Sequence, residues 1–395
     1  MPSNKMKYAI YVFTLGLLCA FAPMCSDLYL PSMPMIMDFY NTNPSSVQMS
    51  LTASFLGLAI GQIIIGPISD AYGRLIPLYI SLSIFTVSSY LCAISPSIYV
   101  FILMRVLQGL SAAGGIVLTR AIACDKFKGN ELTSFMSFLM AINSLAPILA
   151  PVIGSFIISF SPWQVLFYVL VGWGFVLILM TKAFVPESLP KEKRNPNIRS
   201  SLLLMKTDLL NLKFMLIAFS LSFVMGGFFS YLAASPFVFQ SIYELSPIGY
   251  SCTFAFISVC ISIVGASAGK FAKRFGEVKV VFFAYTLLLL SGLAVLIESF
   301  ILPSSYIPVL LSLAVYCSMM GLSQSAGFGV VMSAKRGGAG SASGLFGVLY
   351  FLLGSLLSPF VGIMGKNSMI PLGLNLVICA ILAIVLLKIA LKLKN

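Results

Sequence analysis

Apolar segments of about 20 residues recur along the whole of this 395-residue chain and are separated by short polar turns. Hydrophobic residues make up 59% of the sequence and charged residues only 9%, whereas a soluble domain carries about 25% charged residues. Segments of this length suit α-helices that cross a lipid bilayer, and the sequence lacks the short alternating segments of a transmembrane β-barrel. The sequence therefore predicts an all-α polytopic membrane protein.

Counting the apolar segments between turn signals predicts twelve transmembrane spans, numbered one to twelve in chain order. The longest polar interval, 186–206, follows span six and contains Lys-Glu-Lys-Arg. We therefore expect two six-helix pseudo-repeats, 1–185 and 212–395, joined by a cytoplasmic linker at 186–211 that ends in a short surface helix. The predicted spans are 8–38, 47–68, 76–94, 97–120, 132–159, 163–185, 212–240, 247–270, 279–300, 304–331, 341–364 and 368–391.

The net charge of +13 is distributed unevenly along the chain. Lysine and arginine cluster in every second loop, and the loops between are almost free of them, with Lys366 as the exception. Because cytoplasmic loops of membrane proteins are enriched in these residues, the alternation predicts that both termini are cytoplasmic. The charge thus indicates membrane topology and argues against a nucleic-acid partner.

Candidate metal and cofactor sites are absent from the sequence. Eight cysteines are scattered without CxxC or other metal-ligand spacing, and the chain has no histidine. The sequence also lacks a nucleotide-binding glycine loop and the nucleophile–base set of an enzyme. We therefore predict no metal, no cofactor and no enzymatic activity.

Span one carries an acidic residue, Asp27, deep in an otherwise nearly uncharged segment. An ionised carboxylate at the centre of a bilayer costs about 2.5–3.5 kcal/mol, so a proton site, a cation site or a structural ion pair is indicated. Span four carries Arg105, the only basic residue at similar depth, with Gln108 one helical turn further on. Burial and a neighbouring cation act in opposite directions on the protonation of a carboxyl group. Either Arg105 tunes the protonation of Asp27, or the two form a permanent ion pair.

The two predicted halves share a loop pattern. Gly66 and Gly73 follow span two, and Gly269 and Gly276 stand at the same relative position after span eight. Both glycine pairs lie seven residues apart in a short basic loop. Together with the matching span count, this pattern favours parallel repeats over a chance coincidence.

Five segments carry a resemblance to a known family: Asp27–Pro34, Gly66–Arg74, Arg105–Gly109, Ala146–Gly154 and Ser235–Gln240. Taken together, in this order and in these spans, they resemble the major facilitator superfamily. Within it they are similar to the drug:proton antiporters of the bicyclomycin-resistance (Bcr/CflA) type. The resemblance extends over essentially the whole chain. It implies a monomer that exports small organic compounds across the bacterial inner membrane by alternating access, in exchange for protons.

The resemblance also implies roles for single residues. It implicates Arg105 in proton coupling, and together with the buried position of Asp27 this leads us to predict proton coupling by Asp27 and Arg105. It marks Pro147, Pro151 and Gly154 in span five as the antiporter helix at the interface of the halves. Prolines in membrane helices are common, so ordinary helix packing is the alternative for span five.

The loop after span two resembles a conformational latch of the family, although Ala71 and Leu75 stand where basic residues are usual, and Cys124 replaces an expected arginine. The missing charges imply a weaker latch. The alternative is an ordinary solvated turn whose charges fix topology. The latch residues implied by the resemblance are Gly66, Asp70, Gly73, Arg74, Arg120 and Asp125.

The second half carries aromatic residues in its spans where the first half carries charges. An aromatic cavity suits bulky apolar or cationic compounds, through burial and cation–π contact. For each aromatic residue, packing or contact with lipid is the alternative. The predicted cavity residues are Tyr29, Gln108, Phe228, Tyr231, Phe237, Tyr316 and Tyr350.

Two further functions remain open at this stage. One is a transporter of the same fold dedicated to a single metabolite, such as an amino acid or a siderophore. The other is a membrane receptor that keeps the fold without transporting. The receptor hypothesis predicts loss of the buried charges and of the latch, whereas Asp27, Arg105, Asp70 and Arg74 are all present.

Overall fold

The computed structural model describes residues 2–194, 207–301, 304–336 and 339–393, and within these ranges it contains helices and no strand. Eleven helical segments in the described residues are long and apolar enough to cross a membrane. The predicted span five is the helix Gly129–Ile158, whose part Leu145–Ile158 is a shorter apolar segment. The prediction of an all-α polytopic membrane protein is confirmed.

Most predicted spans correspond to one helix each. Spans one, seven and eleven are each made of more than one helical segment, and span seven continues from Leu212–Phe237 into the π-helical turn Val238–Ile242. The helices are Pro2–Cys19, Phe21–Asp27 and Met33–Phe39 in span one, then Pro44–Tyr72, Leu75–Ala93, Ile98–Lys126, Gly129–Ile158 and Gln164–Phe184 in spans two to six, Leu212–Phe237, Pro247–Phe275, Glu277–Ile301 and Ile307–Ser333 in spans seven to ten, Ala339–Leu357 with the 3-10 turn Ser358–Gly362 in span eleven, and Ile370–Lys392 in span twelve.

Span one is interrupted where a continuous helix was expected. The helix Phe21–Asp27 ends before the turn at Leu28 and Tyr29, and a 3-10 turn then leads into Met33–Phe39. Pro31 lacks the amide hydrogen that would bond the Asp27 carbonyl, and its ring would collide with that carbonyl in an α-helix. The interruption therefore falls directly after the acidic residue.

Span eleven is interrupted for the same reason. Its α-helix ends at Leu357, and Ser358–Gly362 continues as a 3-10 turn. Pro359 cannot donate a hydrogen bond to the Ser355 carbonyl, so the α-helix stops before it. The break lies within the predicted span 341–364, for which one uninterrupted segment was expected.

Contacts among the residues group the chain into two compact units. The first unit comprises Met1–Tyr29 and Ala53–Ser201, and the second comprises Leu30–Thr52 and Leu202–Asn395. The chain thus passes from the first unit to the second directly after Tyr29 and returns after Thr52. The predicted domain boundaries and cytoplasmic termini stay predictions, and the predicted surface helix at 202–212 falls mostly outside the described residues.

The first unit is held together by close helix contacts. Span three packs on spans four and six. The first two helices of span one, Pro2–Cys19 and Phe21–Asp27, pack on spans four and five. Gly109 faces the Ser54 carbonyl oxygen and Gly154 faces the Leu28 carbonyl oxygen, each so closely that an added Cβ would overlap that oxygen. Glycine at these two positions lets the backbones of neighbouring spans approach.

The second unit contains an element from early in the chain, residues 30–52, here called the 30–52 segment. Its helices contact span seven. Ser45 Oγ donates to the Pro359 carbonyl at 2.7 Å, and the hydroxyls of Thr52 and Ser358 lie 2.5 Å apart. Gln48 Nε2 donates to the Ala233 carbonyl at 3.2 Å. The break in span eleven is therefore hydrogen-bonded to the 30–52 segment.

Candidate functional site

Arg105 is the centre of a buried polar cluster in the first unit. Its side chain is 0% exposed. Nη1 donates to the Cys25 carbonyl at 3.0 Å and to Oε1 of Gln108, whose Nε2 donates to Ser89 Oγ at 2.7 Å. Nε and Nη2 have no hydrogen-bond acceptor among the described residues. Unused donors on a buried cation are costly, which is typical of functional groups in membrane spans.

Tyr29 lies under the guanidinium group. The Cζ atom of Arg105 is 4.3 Å from the centroid of the Tyr29 ring and 5.9 Å from that of Phe167. A cation–π contact of this kind contributes about 2 kcal/mol when the cation is desolvated. Tyr29 and Gln108 are thus brought together around Arg105, and both are fully buried. Their part in binding a substrate stays a prediction.

Asp27 lies at the end of the helix Phe21–Asp27 and is 5% exposed. Its Oδ1 accepts a hydrogen bond from Ser26 Oγ at 2.7 Å. The carbonyl of Leu28 that follows is the group against which Gly154 of span five packs. The backbone directly after Asp27 is therefore packed against the glycine of the predicted antiporter helix.

Asp27 and Arg105 belong to the same unit but form no ion pair in the described part of the chain, where such pairs extend to 4.0 Å. Arg105 instead binds the carbonyl of Cys25, two residues before Asp27. The structure thus lacks the direct ion pair that one of the sequence hypotheses required. A buried carboxyl group outside an ion pair is protonated more readily than one that is held in an ion pair.

Arg74 is the centre of a second cluster, at the loop between spans two and three. It is 7% exposed, which does not fit an ordinary solvated turn. Its Nη1 contacts Asp70 Oδ1 at 2.5 Å and Ser69 Oγ at 2.7 Å, and its Nε contacts Asp125 Oδ2 at 2.9 Å. Ser188 Oγ donates to the same Asp125 oxygen at 2.7 Å. One arginine therefore joins the ends of spans two and four.

Glu187, just after span six, caps the N-terminus of span three. Its carboxylate accepts hydrogen bonds from the backbone N–H groups of Arg74 at 2.9 Å and Leu75 at 3.1 Å. Burial opposes its ionisation, but these donors and the N–H of Leu189 lower the pKa of Glu187 below its ordinary value. Gly73, at φ +95°, packs against the carboxylate, and an added Cβ would lie 2.7 Å from it.

Replacing Glu187 by glutamine is expected to lower the thermal midpoint of the purified protein, because the charge at the helix N-terminus, worth about 1 kcal/mol, is lost. Glu192→Gln, an exposed glutamate in the same linker, is the matched control. Since the pKa of Glu187 is lowered, its stabilisation is present above the ordinary carboxyl pKa and is lost as the pH falls through the lowered value. Thermal unfolding of both variants at neutral and acidic pH measures this. Equal midpoints for the two variants at neutral pH would contradict the cap.

Not all predicted latch and helix residues join these clusters. Arg120 is exposed and forms no ion pair with the described residues. Gly66 has only the Val117 side chain near the position of an added Cβ. Pro147 and Pro151 lie inside the helix Gly129–Ile158, which continues through both of them.

Three predicted aromatic residues of the second unit, Phe228, Tyr231 and Tyr350, belong to one cluster of ring contacts. Tyr231 stacks on Phe254 with ring centroids 6.2 Å apart, and Phe228 lies 6.0 Å from Tyr231. Phe229 joins Tyr350 at 6.3 Å. Tyr231, Phe237 and Tyr316 are buried, whereas Phe228 and Tyr350 are half-buried. The cluster brings Phe228, Tyr231 and Tyr350 into one region, and contact of the predicted cavity residues with a substrate stays a prediction.

Tyr316 is placed by the small residue opposite it. Its hydroxyl donates to the Leu376 carbonyl at 3.5 Å and lies where a Cβ on Gly227 would be. A glycine in span seven thus admits the phenol of span ten.

Several polar contacts of the structure were not predicted from the sequence. Ser89 and the Cys25 carbonyl complete the Arg105 cluster, and Glu187 completes the loop cluster. Asn375, a buried amide in span twelve, donates to Ser230 Oγ at 2.6 Å and to the Leu357 carbonyl at 3.2 Å, where span eleven breaks. An isolated asparagine in an apolar span and a Pro-Glu-Ser after span six were the available signals.

The helical membrane fold and its buried charged groups are those of a polytopic transport protein. The family model described as Major Facilitator Superfamily matches residues 15–359. Because this match extends over most of the chain, the protein belongs to the Major Facilitator Superfamily. It is therefore an integral membrane transporter of small molecules and not an enzyme.

Three similar proteins place the chain within this family. An uncharacterized MFS-type transporter of Bacillus subtilis, YdgK, is 38% identical over 96% of this chain and 95% of its own length. A bicyclomycin resistance protein homolog of Haemophilus influenzae is 27% identical over 97% of this chain and 96% of its own length. The partially occluded inward-open structure of the xylose transporter XylE from E. coli has a TM-score of 0.74 at 15% identity, over 98% of this chain and 100% of that one. The last comparison concerns the fold alone.

Proposed function

We propose that this protein exports small organic compounds across the bacterial inner membrane in exchange for protons, by alternating access. The observation that carries the proposal is the buried Asp27 carboxyl group, which has no ion pair with Arg105 or any other described residue. A carboxyl group in this environment exchanges a proton at a lower cost than one fixed in a salt bridge. The similarity to the bicyclomycin resistance protein homolog supports an organic, drug-like substrate.

In the proposed cycle, Asp27 takes a proton from the outer side and becomes neutral while substrate leaves. The protein then opens inward, and Asp27 releases the proton to the cytoplasm as new substrate binds. Arg105 holds the backbone beside Asp27 through the Cys25 carbonyl. Its two further donors, Nε and Nη2, can stabilise the negative charge of the Asp27 carboxylate once the proton has left. A proton moving inward gains about 2.3 kcal/mol per 100 mV of membrane potential.

The remaining residues have supporting roles in this proposal. The Arg74 cluster is the conformational latch, and Pro147, Pro151 and Gly154 shape the antiporter helix. The aromatic cluster of the second unit receives the organic compound. We further propose that the protein acts as a monomer with both termini in the cytoplasm.

Substrate-induced proton movement tests the proposal. The purified protein is reconstituted into vesicles that enclose a pH-sensitive dye, and a library of lipophilic cations, neutral drugs, amino acids and siderophores is screened. We expect drug-like compounds to drive proton movement that stops when a protonophore is added. A signal confined to one metabolite would instead support a dedicated transporter. A transport rate that does not change when a pH gradient is imposed would contradict proton exchange.

A further inference from the structure

The turn at Gly276 between spans eight and nine is flanked by four exposed basic side chains, and this stretch is here called the second loop. Lys270, Lys273 and Arg274 lie in the last turns of the helix Pro247–Phe275, and Lys279 lies in the first turn of Glu277–Ile301. Within the described ranges, none of them lies within 4.0 Å of a carboxylate. The acid of this stretch, Glu277, lies against span ten, where its carboxylate is 2.5 Å from the position of an added Cβ on Gly329. These four cations therefore form a concentrated positive surface with no ion pair among the described residues, and the exposed Glu277 is the one acid of the stretch 270–279.

The corresponding loop of the first unit is different. There Arg74 is buried and neutralised by Asp70 and Asp125. The sequence pattern relates the two loops through their paired glycines, yet the cations of the second loop form no ion pair with Glu277 or any other described acid. The charges of the second loop are thus available to a partner outside the protein.

Two aromatic rings accompany these charges. Phe271 is 45% exposed and Phe275 is 50% exposed, with ring centroids 6.4 Å apart and an angle of 19° between the planes. The Cζ atom of Arg274 lies 5.2 Å from the centroid of the Phe275 ring. Both rings stand in the last turns of the helix Pro247–Phe275, and we expect the end of this membrane span to lie at the level of the lipid headgroups. Apolar rings beside cations at this depth fit a lipid with an anionic headgroup.

We propose that this surface, Lys270–Lys279, binds the headgroup of an anionic phospholipid such as phosphatidylglycerol. The cations contact the phosphate, and the two phenylalanine rings contact the first carbons of the acyl chains. This site is independent of the transport chemistry, because it uses none of the residues of the Arg105 or Arg74 clusters.

Lipid retention by matched variants tests the proposal. The double variant K273Q/R274Q is compared with K388Q/K392Q, which removes the same charge from exposed lysines in span twelve that have no accompanying phenylalanine pair. Each protein is equilibrated with vesicles of phosphatidylcholine and phosphatidylglycerol in equal parts, extracted, and examined by native mass spectrometry for bound lipid. Each basic side chain near an anionic membrane surface raises the affinity about fivefold at low ionic strength. We therefore expect K273Q/R274Q to bind phosphatidylglycerol roughly 25-fold more weakly and the control to keep its affinity.

Three outcomes would overturn the proposal. Equal losses in the two variants would mean general attraction between a basic protein and an acidic membrane. Unchanged binding in K273Q/R274Q would remove these residues from any lipid site. Displacement of the lipid by soluble glycerol phosphate at equal concentration would indicate a plain phosphate site in which the rings take no part. All four substituted side chains are exposed, so monodisperse elution of each variant is expected and verifies folding.

Discussion

Asp27→Asn is expected to abolish proton-driven accumulation of substrate while leaving substrate exchange intact. Asparagine preserves the size of the side chain and accepts the hydrogen bond from Ser26, but it cannot gain or lose a proton. Under a pH gradient of one unit, one-for-one exchange sustains about a tenfold concentration ratio, and the variant is expected to show none. Exchange between identical compounds on the two sides needs no proton and is expected to continue.

The matched control is Asp38→Asn, an exposed acid at the end of the same span. Accumulation is measured in vesicles with an imposed pH gradient, and exchange is measured with labelled substrate at equal pH. The control is expected to behave as the wild type. Accumulation by Asp27→Asn at the wild-type level would remove Asp27 from the coupling mechanism, whereas loss of both activities would indicate a damaged binding site.

Gly154→Ala is expected to destabilise the protein, although alanine is the better helix former by about 1 kcal/mol. The added Cβ would overlap the Leu28 carbonyl oxygen, so span five must move away from span one. Overpacking of this kind costs about 1–3 kcal/mol, and the displaced backbone is the one that carries Asp27. We therefore expect both a lower thermal midpoint and impaired proton-driven transport.

Gly172→Ala in span six is the control, because no atom lies within 4 Å of its added Cβ. It is expected to raise the midpoint slightly, so the two glycine substitutions should have opposite signs. Thermal unfolding of the detergent-purified proteins measures this difference. Midpoints shifted upward in both variants would show that span five has room at Gly154.

The features that could be predicted from the sequence depend on local patterns. Hydropathy marks the spans because each span must satisfy its own backbone and face lipid. The depth of Arg105 and the helical spacing of Gln108 also follow from the chain, and the structure joins both side chains by a hydrogen bond. Pro31 and Pro359 could have indicated the breaks in spans one and eleven, since proline excludes the continuing α-helical bond.

Contacts between distant parts of the chain could not be derived in this way. The Pro-Glu-Ser after span six marks Glu187 as a polar residue at a helix end, but it does not indicate that the carboxylate caps span three, more than a hundred residues earlier. Arg105 was expected to interact with Asp27, but its Nη1 donates to the carbonyl of Cys25. The two positions, 25 and 27, are less than one helical turn apart. Distances of this size depend on helix rotation, which an apolar pattern does not fix.

The 30–52 segment has a consequence for biogenesis. A ribosome delivers this segment to the membrane long before Ala233, Ser358 and Pro359 have been translated, although these residues hold its polar side chains. Nascent chains generally fold from the N-terminus onward. The 30–52 segment, however, can form its hydrogen bonds only after spans seven and eleven have been synthesised. A truncated gene product ending before span seven should therefore leave Ser45, Gln48 and Thr52 unsatisfied and be removed by membrane proteases. Supplying the missing half as a separate polypeptide should rescue it.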